Sequence, residues 1–159
     1  MTLAYVGLGA NLGDPRRQLQ AALQEMNAMP ETRVTATSSF YRSAPVGYLD
    51  QPDFLNAVVA VDTRLSAEKL LECLQGIEQK HGRERSFEGA PRTLDLDLLL
   101  YADTVLSTPR LTLPHPRMHE RAFVLEPLTE IAPAVAIPGR GPARELLAAC
   151  RNQNIERIA

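Results

Sequence analysis

"RTLDLDLLLY", residues Arg92 to Tyr101, has the composition of a core β-strand yet carries two aspartates. Side chains alternate faces along a strand, so Leu94, Leu96 and Leu98 share one face, and Thr93, Asp95, Asp97 and Leu99 share the other. The carboxylates then stand roughly 7 Å apart on one face. They repel each other, and unpaired charge is expensive to bury. The stretch therefore calls for a cationic partner. Arg83, Arg85 or Arg92 could supply one in a structural ion network. The alternative is a metal: with no thiolate or histidine beside them, the two carboxylates are hard oxygen ligands that suit Mg²⁺ shared with substrate phosphates, and zinc fits poorly. Two ions bridging a transferred phosphoryl group sit about 3.5–4 Å apart, a separation that neighbouring aspartates can serve. Both readings stand on these residues.

Outward from this strand, the chain alternates strands and helices without repeats or low-complexity tracts. "TLAYVGLGA" is a strand running into a glycine turn, after which Asp14 caps a helix that starts at Pro15. Leu19, Ala22, Leu23 and Met26 form its apolar stripe. "RVTATSSFY" and "FLNAVVAVDT" are β-rich, and "RSAPVGYLDQPD" between them is too long and proline-rich for a tight hairpin. Ser66 starts a second helix with Leu70, Leu71, Leu74 and Ile77 on one side, stopped at Gly82. The irregular "GRERSFEGAP" leads into the aspartate strand. This β-α-β-β-α-β order is the α+β, ferredoxin-like plan: an antiparallel sheet with helices on one face, here followed by a C-terminal extension. After Thr108 the chain is punctuated by proline, with short helices expected near 116–123 and 143–150.

Composition narrows the function classes. The 159 residues, 45% hydrophobic and 23% charged, suit one domain spanning 1–159. Its 17 basic and 19 acidic residues leave a charge of -2, which argues against a surface that coats nucleic acid. No stretch approaches the ~20 apolar residues of a membrane span, and the N-terminus lacks a basic leader region. A cytoplasmic monomer without nucleic-acid or membrane partners is expected. Cys73 and Cys150 read as reduced core thiols.

Arg83, Arg85, Arg92, Arg110, Arg117 and Arg121 surround the acidic strand in sequence. Arginine is suited to bidentate phosphate contact, and phosphoryl transfer rests mostly on positioning and charge neutralisation. Acidic ligands and arginines together suggest a nucleoside triphosphate site. "GLGANLG" is not a dinucleotide fingerprint, since Gly13 comes one place late, and no P-loop follows; it reads as a strand-to-helix turn. His115 and His119 have helical ligand spacing, but Phe123 stands where an H-E-x-x-H motif needs its second histidine. His115, flanked by prolines and arginines, reads as a phosphate contact.

"APRTLDLDLLLY", "SSFYRSAPVGYLDQPDFLNAVVAV" and "LTLPHPRMHERAFVLEPLTEIAP", in that order, resemble the 6-hydroxymethyl-7,8-dihydropterin pyrophosphokinases of folate biosynthesis. The resemblance runs from about Thr2 to Pro133 and implies a ferredoxin-like fold that moves pyrophosphate from ATP to a pterin alcohol and releases AMP, using two Mg²⁺. It assigns Asp95 and Asp97 to the metals, and Arg83 and Arg92 to the charge on the transferring group. Gln75, Glu78, Arg85, Leu98, Arg110, Thr112, His115 and Arg121 match ATP-binding positions. Phe54 and Phe123 match two aromatic walls around the pterin. Asn56 matches the amide that reads its edge, helped by the backbone of Ser43, Ala44, Pro45 and Val46. Stacking on both faces of a flat heterocycle, with an amide offering donor and acceptor, is sound recognition chemistry.

The chain departs from the resemblance at Glu88, Gly89 and Ala90, where the family usually has a basic residue and often Trp in a loop one residue longer; this chain has no Trp. Ala10 stands in place of a serine common in the family's glycine turn. Two rivals remain at this point: another Mg²⁺-dependent phosphoryl or nucleotidyl transferase with an Asp-x-Asp strand, and a non-catalytic ferredoxin-like module that binds a small ligand and regulates a partner.

Overall fold

The computed structural model describes residues 1–44, 50–82 and 94–158. Its first half follows the expected order with one strand more. β1 (Thr2–Ala10) leads to α1 (Pro15–Asn27), β2 (Thr32–Thr37), β3 (Phe40–Ser43), β4 (Phe54–Thr63), α2 (Ala67–Lys80) and β5 (Asp95–Tyr101). The stretch read as a single β-rich run is broken at Ser38 and Ser39. The Ser38 N–H donates to the Val58 carbonyl, its hydroxyl accepts from the Val58 N–H, and β2 and β3 both pair with β4 on either side of the break.

Helix signals in the sequence correspond to observed caps. Asp14 accepts from the Arg17 N–H with Pro15 as the first helical residue, and Ser66 accepts from the Lys69 N–H at the start of α2. Gly82, at φ 73°, takes the left-handed conformation that ends α2.

The main sheet is antiparallel in the order β10-β3-β4-β1-β5, with β2 also paired to β4 and β10 spanning Ile155–Ile158. Helices α1 and α2 cover one face, where Val6, Leu8, Val59, Val61, Leu94, Leu96 and Leu98 meet Leu19, Met26, Leu70 and Leu74. The ferredoxin-like plan places helices on that face alone; here the C-terminal extension covers the other. α3 (Ala122–Ile131) and α4 (Ala143–Ala148) pack Leu125, Leu128 and Ala143 against Val58, Leu99 and Leu100. Simple alternation would send Leu100 to the opposite face from Leu99. A bulge in the pairing of β1 with β5, between Tyr5 and Val6, makes Leu99 the extra residue and carries both leucines to the α3 side.

The extension also holds two short strand pairs, β6 (Leu106–Ser107) with β7 (Thr112–Leu113) and β8 (Ala136–Ile137) with β9 (Gly141–Pro142), and a 3₁₀ turn at Met118–Glu120. α3 runs well past the short helix expected near 116–123 and contains Pro127. The proline hides a genuine apolar stripe in which Val124, Leu125 and Leu128 are buried. Cys73 and Cys150 are free thiols. No described helix is long and apolar enough to cross a membrane.

Candidate active site

One end of the α3-side face brings together several of the residues singled out from the sequence. β5 aligns Asp95 opposite Gly9 and Asp97 opposite Gly7 on β1, and Gly9 in turn lies opposite Asn56 on β4. Paired residues of an antiparallel ladder project to the same side, so the two aspartates, two glycines and Asn56 form one surface. The glycines keep it open. A Cβ at Gly9 would stand 3.4 Å from Asn56 Oδ1, and one at Gly7 would stand 3.5 Å from the Leu99 side chain. Both aspartates are half-buried and can hold a hard divalent cation together with an anionic ligand.

β5 is an edge strand, so alternate N–H groups lack a strand partner. The one on Leu96, between the two aspartates, donates to Glu78 Oε2 at 2.8 Å. Glu78, matched to an ATP contact by the resemblance, is buried on α2 and thus braces the aspartate strand. Along the same edge, Gln75, Asp97, Leu98, Arg110, Thr112 and His115 line one cavity of about 240 Å³. Five of these were assigned to ATP from the resemblance. Arg110 is exposed and pairs with Glu72 at 3.2 Å, so binding a phosphate means exchanging one anion for another.

His115 is anchored by its own N–H, which donates to the Leu99 carbonyl at 2.9 Å. Its Nδ1 accepts from the Arg117 N–H at 3.2 Å, which places the proton of the neutral ring on Nε2 as a donor. Burial, reinforced by the Arg121 charge and opposed by Asp95, pushes its pKa down to about 4. The unfolded imidazole titrates near 6.5. As pH falls below that value the unfolded chain takes a proton that the folded chain refuses, so stability is full above about 6.5 and is lost on the way to about 4. Wild type is expected to lose on the order of 3 kcal/mol more than His115→Asn over this window. Urea unfolding of both proteins at pH 7 and pH 4.5 measures it, and parallel losses would contradict the assignment.

On the other side, Ser43, Ala44, Arg121 and Phe123 line a cavity of about 390 Å³. Asn56, 4% exposed, donates from Nδ2 to Ser43 Oγ at 2.7 Å and to the Tyr41 carbonyl at 3.3 Å, which orients its amide. Phe54 pairs with Ser43 in the β3–β4 register, on the same face and half-buried. The Arg121 guanidinium lies 5.4 Å from the Phe123 ring centroid, so a residue assigned to ATP and one assigned to the pterin touch each other.

Several residues at the site were not singled out from the sequence. Asn11, buried in the turn after β1, donates to Gln51 Oε1 at 2.7 Å and to the Pro52 carbonyl at 3.0 Å, fixing the approach to Phe54. Gly7 and Gly9 gave a signal, two glycines at strand period, whose meaning needed the register. Glu120, Gln153 and Asn154 also line the Phe123 cavity, together with Arg117, which the sequence had already grouped with the arginines around the acidic strand. Pro45, Val46, Arg83, Arg85, Arg92 and the departure at Glu88 lie outside the described residues.

The family model for 7,8-dihydro-6-hydroxymethylpterin-pyrophosphokinase matches residues 5–133. A 2-amino-4-hydroxy-6-hydroxymethyldihydropteridine pyrophosphokinase of Pseudomonas aeruginosa is 50% identical over 154 residues, covering 97% of this chain and 95% of that protein. One of the same name from Methylorubrum extorquens is 47% identical over 158 residues, 99% of each chain. Among solved structures, HPPK-DHPS of Plasmodium falciparum with pteroate superposes with a TM-score of 0.74 at 13% identity, covering 93% of this chain and 42% of that one, a likeness of fold alone. With the match spanning both the aspartate strand and the Phe123 segment, the chain belongs to the 7,8-dihydro-6-hydroxymethylpterin-pyrophosphokinase family.

Proposed function

We propose a division of labour among these residues for the family's reaction, transfer of pyrophosphate from ATP to the hydroxymethyl group of 6-hydroxymethyl-7,8-dihydropterin in folate biosynthesis, with AMP as the second product. The observation that carries it is the placement of Asp95 and Asp97 on one open face, opposite Gly7 and Gly9, with Asp97 lining the edge cavity. Among the described residues no three His, Cys, Asp or Glu side chains cluster as a self-sufficient metal site. Two carboxylates suit Mg²⁺, which takes its remaining ligands from phosphate and water. Asp95 and Asp97 would hold two such ions, whose chemistry is to neutralise and orient the phosphates.

The chain's own groups do the rest. Gln75, Leu98, Arg110, Thr112 and His115 hold ATP in the edge cavity, with Nε2–H of His115 donating to a phosphate oxygen. Arg83 and Arg92 stabilise charge on the transferring group, and Arg85 and Arg121 help to hold the ATP. Asn56 reads the pterin edge with its fixed amide, the backbone of Ser43 to Val46 assists, and Phe54 and Phe123 stack on the ring. Glu78 supports ATP binding through β5, whose Leu96 N–H it holds. Residues 1–159 act as one catalytic domain, a cytoplasmic monomer with small-molecule substrates and no nucleic-acid or membrane partner.

The test is incubation with Mg²⁺-ATP and the reduced pterin alcohol. AMP and pterin pyrophosphate in equal amounts are expected; ADP as the product would contradict the reading. Phe123→Ala is expected to weaken pterin binding by about 1–3 kcal/mol, the scale of stacking on an aromatic side chain, with little change for ATP. Titration calorimetry with each ligand checks it, and equal losses for both would point to packing instead.

A further inference from the structure

The segment between α4 and β10 passes over the start of α3, and Gln153 lies on it. Gln153 Oε1 accepts from the Ala122 N–H at 2.9 Å, and its Nε2 donates to the Glu120 carbonyl at 2.7 Å. These two backbone groups flank Arg121, so one carboxamide spans that residue as a neighbouring strand would. The need for it is local. Arg121 is the N-cap of α3 but makes no side-chain capping bond, and its extended backbone (φ -117°, ψ 111°) forms the corner between the 3₁₀ turn and the helix. Gln153 supplies an acceptor for the first helical N–H from elsewhere in the chain and ties down the carbonyl before the corner as well.

Gln153 is itself held from both sides. Its N–H donates to the carbonyl of Cys150, which is buried in the second core, and two residues later the chain enters β10, paired with β3. β3 ends at Ser43, which lines the same cavity as Phe123 and Gln153. The carboxamide thus connects the two walls of that cavity through backbone that is already fixed.

We propose that Gln153 is a positioning residue for the pterin end of the site: by clamping the backbone on both sides of Arg121 it fixes where the Phe123 ring stands. This rests on the reading of Phe123 as a pterin wall. A phenylalanine ring has two side-chain torsions and must follow its backbone, whereas Arg121 has a long side chain that can re-aim if the corner shifts. Loss of the clamp therefore falls on the pterin more than on ATP.

The experiment is steady-state kinetics of the full chain with Gln153→Leu and Gln153→Glu, alongside thermal melts. Leu keeps the approximate volume and removes both bonds; Glu keeps the shape but turns the donor into an oxygen facing the Glu120 carbonyl. Both variants are expected to raise KM for the pterin about fivefold while KM for ATP and kcat change by less than about twofold, the loss of roughly one hydrogen-bonded contact. Either variant with an unchanged pterin KM, or with equal rises for both substrates, overturns the proposal. If a variant melts too early to assay, pterin and ATP titrations below its melting temperature give the same comparison. Phe123→Ala separates this result from the underlying one: if it too leaves pterin binding unchanged, the cavity assignment has failed, and if it weakens binding while the Gln153 variants do not, only the clamp has failed.

Discussion

Asp97→Ala is expected to lower turnover by at least about a thousandfold while leaving the melting temperature of the metal-free protein unchanged or slightly higher. Asp97 lines the edge cavity, while the core contacts of this segment are made by leucines: Leu94, Leu96 and Leu98 on the opposite face and Leu99 and Leu100 against α3. Removing one of two like charges on a shared face relieves repulsion when no ion is bound. The rival account, a buried structural ion pair, demands the opposite: breaking such a pair costs about 3–5 kcal/mol because the remaining charge stays buried. Activity and a melt in chelator, measured on the same preparation, separate the two. A large stability loss would remove the basis for assigning these carboxylates to a metal.

Glu78→Leu should show the converse, a structural defect that then affects chemistry. The substitution leaves the Leu96 N–H without its acceptor on an edge strand, at a residue that is 3% exposed. An orphaned buried donor and the lost carboxyl contact together are expected to cost about 2–4 kcal/mol, and kcat should fall by at least about tenfold as β5 loses its brace. Glu78→Gln keeps an oxygen for the same N–H and should lose less than about 1.5 kcal/mol. Chemical unfolding of the two variants checks the difference. Equal losses would place the role of Glu78 in its charge and return it to direct contact with ATP.

The frame was legible in the sequence where local rules act alone. Asp14 with Pro15 and Ser66 with the stripe after it mark α1 and α2 because a cap and an apolar period need only neighbouring residues. The aspartate dyad was legible for the same reason, since strand alternation sets which residues share a face. What was missed depends on tertiary pairing. The break at Ser38–Ser39 arises because both serines turn toward groups on β4 and α3, with Ser39 donating to Glu130. The bulge at Leu99 exists only once β1 is alongside, and the length of α3 was masked by Pro127. Phe54 and Phe123 have nothing in their local sequence to distinguish them from core; only the resemblance singled them out. Glu78 and Gln153 act through backbone atoms of distant residues, and no spacing in the chain records such a contact.

If ATP and its metal sit on the face shared by β5 and β1, the backbone amides of that face report it. When Mn²⁺ replaces Mg²⁺ in the complex with a non-hydrolysable ATP analogue, the NMR signals of Gly7, Gly9, Asp95, Leu96, Asp97 and His115 should broaden first, because paramagnetic relaxation falls steeply with distance from the ion. The signals of Arg16, Ser39 and Arg157, which line a different groove, should remain sharp. Broadening centred on that groove, with the Asp95–Asp97 amides unaffected, would place the metal and its nucleotide away from the two aspartates.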